Sequence, residues 1–226
     1  MTRIGVVVFP GSNRDADTLR AIEIAGGEPV RLWHEQASLE GCAAIVVPGG
    51  FAYGDYLRAG VIARFSPVMR SVAAFAAEGG LVFGICNGFQ VIAEAGLVPG
   101  ALLRNRGLRF LGRDVLIAVE RADTPFTRHA QPHRPLRIPI AHGEGCYHAD
   151  DRTLDLLESE DRVAFRYVDN PNGSARNIAG ILNKTRNVLG MMPHPERACD
   201  PLMGCDDGLV VLQSMVAAYE KAVASK

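Results

Sequence analysis

The sequence predicts an α/β fold in which a mostly parallel central sheet gains some antiparallel strands in the C-terminal half. Three observations carry that prediction. The first hundred residues alternate solid apolar runs with helical stretches closed by paired glycines; strands apolar on both faces belong to parallel sheets covered by helices. One apolar run, 81–83, passes through a sharp turn into a helix and carries a cysteine at the turn's apex. From residue 108 the rhythm changes to short strand candidates separated by turns, the pattern of antiparallel pairing.

In chain order, 4–9 is an apolar run that reads as a strand buried on both faces, and 10–13 (Pro-Gly-Ser-Asn) is a loop. Asp15 or Asp17 is expected to cap the next helix, whose Leu19, Ile22, Ile24 and Ala25 share one face. Gly26 and Gly27 end it. Strands follow at 29–33 and 43–47, the latter stopped by Pro48, Gly49 and Gly50. A helix over 67–77 ends at Gly79 and Gly80 and leads into the strand 81–83. Gly84 is read as the start of the turn, and 89–95 as the helix beyond it. In the second half, 115–120, 136–140, 163–167, 178–182 and 188–192 are strand candidates, and 170–173 (Asn-Pro-Asn-Gly) is a turn. Helices are expected over 150–157 and 209–223. No repeat, low-complexity tract or linker interrupts the chain, so residues 1–226 are read as one domain.

Composition removes several classes of function. At 226 residues and 48% hydrophobic the chain has enough material for a sizeable core. A formal net charge of -1 leaves no electrostatic footprint for nucleic acid or an anionic membrane. No apolar run approaches the roughly 18 residues of a membrane span. The N-terminus runs directly into a strand pattern without a secretory signal. Cys42, Cys86, Cys146, Cys199 and Cys205 are odd in number and show no C-x-x-C spacing. A disulfide framework is therefore not expected, and the cytoplasm is the expected compartment.

Chemistry concentrates in three stretches. A strand, a turn bearing a nucleophile and then a helix form the nucleophile-elbow layout, here with Cys86 at the apex. The helix N-terminus favours a thiolate there, and the backbone N–H of Asn87 is placed to bind an oxyanion. In 192–196 (Met-Pro-His-Pro-Glu), two prolines are expected to hold the segment extended, so that His194 and Glu196 point the same way. An imidazole oriented by a carboxylate is a general base. Read alone, His194 could equally pack or ligate zinc, but no other His or Cys lies at ligand spacing. The third stretch, 48–55 (Pro-Gly-Gly-Phe-Ala-Tyr-Gly-Asp), either makes a tight turn or brings backbone N–H groups to a carbonyl oxygen. Neither a phosphate loop nor a dinucleotide fingerprint is present.

Residues 84–90 (Gly-Ile-Cys-Asn-Gly-Phe-Gln) with 193–196 (Pro-His-Pro-Glu) resemble the class I, triad-type glutamine amidotransferases. Stretches 9–15, 48–58, 141–145, 170–174 and 190–197 are similar, within that class, to the glutaminase subunits of phosphoribosylformylglycinamidine synthase. The resemblance implies a flavodoxin-like fold and hydrolysis of L-glutamine through a thioester on Cys86, with His194 and Glu196 completing the triad. It implies that Gly49, Gly50 and the Asn87 N–H form the oxyanion hole and that Phe51 and Gln90 line the glutamine site; His142 and Glu144 either line that pocket or the partner face, or only satisfy buried backbone. It implies no metal and no cofactor in this chain. ATP and Mg are expected on a synthetase subunit, which takes the ammonia to make formylglycinamidine ribonucleotide in purine synthesis, with a small accessory subunit as second partner. Arg14, Arg58, Arg104, Arg106 and Arg109 are read as surface charges, some of them facing that partner. Two positions depart from the pattern: Ala52 stands where Ser is common, and Cys146 where a polar or basic residue is usual.

Overall fold

The first apolar run forms strand β1 (Arg3–Val8), and α1 (Asp15–Ile24) carries the chain to β2 (Glu28–Trp33), parallel to it. The next strand, β3 (Ala44–Val47), pairs with the other edge of β1, and α2 (Pro67–Ala77) leads from it to β4 (Leu81–Ile85). One crossover thus runs left from β1 and the other right from β3. Because such crossovers are right-handed, α1 and α2 cover opposite faces, and the strand order reverses between β1 and β3. Loops at the C-terminal strand ends beside such a reversal are where open α/β sheets bind ligands.

The structure is a computed structural model describing residues 1–131 and 133–224. Beyond β4 the elbow helix α3 (Asn87–Glu94) is followed by β5 (Ala101–Leu103), β6 (Leu111–Val119), β7 (Leu136–His142) and β8 (Cys146–His148). Helix α4 (Asp151–Ser159), β9 (Val163–Tyr167), β10 (Ile178–Leu182), β11 (Val188–Met191) and α5 (Leu209–Ala224) complete the chain. The nine-stranded sheet has the order β2-β1-β3-β4-β11-β10-β9-β6-β7, while β5 and β8 pair in a small sheet of their own. Neighbours from β2 to β11 are parallel, and those from β11 to β7 antiparallel. The expected mixed α/β fold is found. No helix among the described residues is long and apolar enough to cross a membrane.

Four local expectations are corrected. Neither Asp15 nor Asp17 caps α1: Arg14 is the N-cap, without a side-chain cap bond. Both acids lie in the first turn, paired with Arg31 at 2.8 Å and Arg14 at 3.2 Å. The turn does not begin at Gly84. That residue stays in β4, bonded between β3 and β11, and a Cβ on it would press 2.8 Å from the Gly88 carbonyl oxygen. The glycine marks a close approach rather than a bend. Strand β6 starts at Leu111, four residues early, because its first turns of chain are exposed and lack apolar alternation. The segment after Met192 is also not extended: Pro195–Arg197 is a 3₁₀ turn, closed by Ala198 N–H donating to Pro195 O at 3.0 Å.

Candidate active site

Four strand ends converge on one rim. Phe9 follows β1, Pro48 follows β3, Cys86 follows β4 and Met192 follows β11. Cys86 has φ 50 and ψ -105, a strained backbone for a residue with a Cβ. Its own N–H donates to Met191 O at 2.8 Å, and its carbonyl accepts the Gln90 N–H at 3.1 Å, so both neighbouring elements hold the apex in place. Helix α3 can begin so abruptly because Gly88 has no side chain: a Cβ there would sit 1.8 Å from Val47 O. The thiol is 5% exposed and makes a long contact of 3.7 Å to the Ala141 carbonyl.

His194 and Glu196 are brought together, by a different route from the extended one. His194 lies outside the 3₁₀ turn as its N-cap, and Glu196 within it, so their side chains meet. His194 Nδ1 is 2.6 Å from Glu196 Oε1, both groups buried. Burial pulls the imidazole down, but the Glu196 carboxylate and the Cys86 thiol outweigh it and push it up to about 10. The ring's Nε2 has no hydrogen-bond partner among the described residues, and Cys86 is the second group that raises the imidazole. Gly49 packs flat on this ring: a Cβ there would meet His194 Cε1 at 2.7 Å. A thiol, an imidazole and a carboxylate are thus gathered at one rim, the set of groups that nucleophilic catalysis requires.

In front of Cys86 lies a cavity of about 220 Å³, lined by Gly50, Phe51, Gln90, His142 and Glu144 among others. It is below the roughly 300–1,000 Å³ of drug-sized sites and suits a ligand of amino-acid size. Of the expected binding residues, Gly50, Phe51, Gln90 and His142 line it; Gly49 and Asn87 lie behind it. The Asn87 side chain is a three-way tie. Its Oδ1 accepts the Ala52 N–H at 2.9 Å, and its Nδ2 donates to Gln90 Oε1 at 2.8 Å and Asp55 Oδ1 at 3.0 Å. The backbone of residue 52 makes the contact, so Ala52 in place of Ser leaves it intact. Gln90 Nε2 donates to Glu144 O at 2.6 Å and so joins the elbow helix to the far wall. Cys146 lies in β8, paired with Leu103, outside the cavity wall.

His142 is buried and held differently. Its Nδ1 faces Asn105 Oδ1 at 3.0 Å, and Asn105 also donates to His142 O at 2.8 Å. Burial pulls this imidazole down to about 4, and the neighbouring His194 charge adds to the pull. Asn105, Asp55 and Ala141 are parts of the site that sequence reasoning did not single out, and Glu144 lies in the cavity wall, one of the places open to it. Asp55 and Glu144 lie inside the informative stretches 48–55 and 141–145, whereas nothing in the local sequence marks Asn105. Arg104, Arg106 and Arg109 are exposed on the loop beside the cavity mouth. A larger cavity, about 540 Å³, lies at the opposite end of the sheet around Cys42, Phe75 and Leu81 and holds no base beside a nucleophile. Among the described residues no group of three or more metal-ligating side chains occurs.

Comparison with known proteins agrees with this geometry. Residues 1–205 match the CobB/CobQ-like glutamine amidotransferase domain family. The phosphoribosylformylglycinamidine synthase subunit PurQ of Rubrobacter xylanophilus is 60% identical over 95% of this chain and 98% of its own length. That of Koribacter versatilis is 54% identical over 97% and 99%. The solved structure of PurLQS from Thermotoga maritima superposes with a TM-score of 0.88 at 45% identity, covering 96% of this chain and 98% of the matched one. The glutaminase domain of Trypanosoma brucei CTPS, at 17% identity and a TM-score of 0.65, shares the fold. The chain belongs to the CobB/CobQ-like glutamine amidotransferase family, in the branch of the phosphoribosylformylglycinamidine synthase subunit PurQ.

Proposed function

We propose that this chain is the glutaminase subunit of a phosphoribosylformylglycinamidine synthase and that Cys86, His194 and Glu196 perform the hydrolysis. The observation that carries the residue assignment is the buried His194–Glu196 pair, 2.6 Å apart, its Nε2 unbonded, at the same rim as a thiol on a strained apex.

The chemistry follows from that arrangement. Cys86 Sγ attacks the side-chain amide carbon of glutamine with its proton already on His194, which the Glu196 carboxylate holds as the imidazolium. Negative charge collects on the amide oxygen, and the N–H groups of Asn87 and Gly50 are the donors that receive it; neither bonds a backbone carbonyl among the described residues. As the tetrahedral centre collapses, His194 gives the proton to the departing nitrogen, and ammonia leaves a γ-glutamyl thioester. Water then attacks the thioester carbon, His194 takes its proton and returns it to sulfur, and glutamate departs. Glu196 fixes the tautomer and stabilises the imidazolium at both stages. Removing one oxyanion donor in such sites costs on the order of 10²–10³ in rate.

Ammonia is useful only if a second active site receives it. The name PurLQS and the PurQ relatives support assembly of this chain with a synthetase subunit and a small third subunit. ATP and Mg belong to the synthetase in this reading.

The test is mass spectrometry after exposure to 6-diazo-5-oxo-L-norleucine, with and without the two partner subunits. A single adduct on Cys86 is expected, and Cys86→Ser in the assembled complex should lose glutamine-dependent but keep ammonia-dependent product formation. No adduct under either condition, or equal loss of both activities, would remove Cys86 from the mechanism.

A further inference from the structure

One carboxylate in the cavity wall makes no ion pair among the described residues. Asp55 lines the same cavity as Cys86 and is bonded to Asn87, the residue next to the nucleophile, so it lies one asparagine side chain from the elbow. Only its Oδ1 is used; Oδ2 makes no hydrogen bond among the described residues. Three arginines on the loops of this rim are paired with other carboxylates. Arg58, three residues on, grips Glu94 through Nε and Nη2, both at 2.6 Å. Arg104 pairs with Glu144 at 3.5 Å, and Arg14 with Asp17 at 3.2 Å. A half-buried carboxylate with one neutral donor and no ion pair is stabilised when a positive group arrives.

The backbone around Asp55 points the same way. Tyr53, Asp55 and Leu57 all have positive φ, at 54, 53 and 68. Three side-chain-bearing residues in that region within five positions is strain, which persists only where surrounding contacts fix it. Those contacts are present: Tyr53 N–H to Pro10 O at 2.7 Å, Tyr53 Oη to His34 Nδ1 at 2.6 Å, and the two Asn87 bonds. The loop is held in an unfavourable shape, and the shape presents Asp55 to the cavity.

Resting on the glutaminase reading above, we propose that Asp55 is the specificity residue that receives the α-ammonium group of the substrate. Glutamine is a zwitterion whose amide must reach Cys86, and its ammonium is the one cation that the reaction itself brings into the cavity. Burial raises the Asp55 carboxyl to about 6, against the pull of the Asn87 bond and with a further push from Glu144; a bound ammonium relieves both. Asp55 holds the substrate and takes no part in proton transfer.

The experiment compares glutamine with 4-carbamoylbutanoate, the same amide without the α-amino group, in the complex with its partner subunits. Wild type should prefer glutamine by ~10²-fold or more in kcat/KM, because a site built for a polar group rejects the analogue that lacks it. Asp55→Asn should collapse that preference to within ~10-fold, mainly by raising KM for glutamine. Retained turnover of the analogue also reports an intact fold, and Asp55→Glu should restore part of the preference. Equal loss on both substrates would mean that Asp55 only shapes the loop. An unchanged preference would place the ammonium elsewhere. Either result overturns the assignment while leaving the glutaminase reading standing; a wild type inert toward both amides would overturn the two together.

Discussion

Two histidines are buried beside the same sulfur-bearing rim, one after β11 and one at the end of β7. His194 is 2% exposed and His142 3% exposed, so desolvation presses on both alike. Their partners differ. His194 faces a carboxylate at 2.6 Å and is held up to about 10; His142 faces an amide at 3.0 Å and falls to about 4. Burial alone makes a neutral imidazole, and burial with an anionic partner makes a base. The strand β11 end thus carries a histidine held protonated, and the β7 end carries one held neutral.

Replacing the carboxylate should break the contrast most severely. Glu196→Gln keeps the size and an acceptor but removes the charge, and kcat for glutamine hydrolysis should fall by ~10²–10⁴, as loss of the orienting acid does in related triads. A rate unchanged in the assembled complex would remove Glu196 from the mechanism.

The same substitution should appear in stability against pH. The folded-state pKa of His194 lies above its unfolded value near 6.5, so the pair's contribution is complete below about 6.5 and is lost as pH rises toward about 10. Urea titrations across that window should show wild type losing up to a few kcal/mol, whereas Glu196→Gln should lose much less. Parallel slopes for the two proteins would mean that the carboxylate does not hold the proton on His194.

The smallest change sharpens the comparison from the other side. Asn105→Asp gives His142 the kind of partner His194 has, and the imidazole midpoint, followed by NMR, should move up by ~1–3 pH units. If it stays near 4, burial and not the partner sets the difference between the two rings.

What the sequence made legible follows the range of the interactions. The parallel strands were readable because each is a solid apolar run with a glycine-marked boundary. Cys86 and the His194–Glu196 pair were readable because each is a short local pattern next to a strand end. The small sheet of β5 and β8 was not, since three-residue strands such as Ala101–Leu103 carry no periodicity. Nor was the role of Asn105, which reaches His142 across 37 residues of sequence. The 192–197 segment is instructive: the two prolines suggested an extended chain, yet Pro195 at the first position of a helical turn is equally favoured. The contact between His194 and Glu196 came out as expected although the backbone that makes it did not.

Gly88 carries a consequence for interpreting substitutions at this rim. It is not part of the cavity lining and has no side chain to carry a proton, yet its Cα lies so close to Val47 O that even a methyl has no room. A mutational survey scored by activity alone would set Gly88 beside Cys86 as equally indispensable. One is lost for want of a sulfur and the other for want of space, and only a second readout of folding tells the two kinds of intolerance apart.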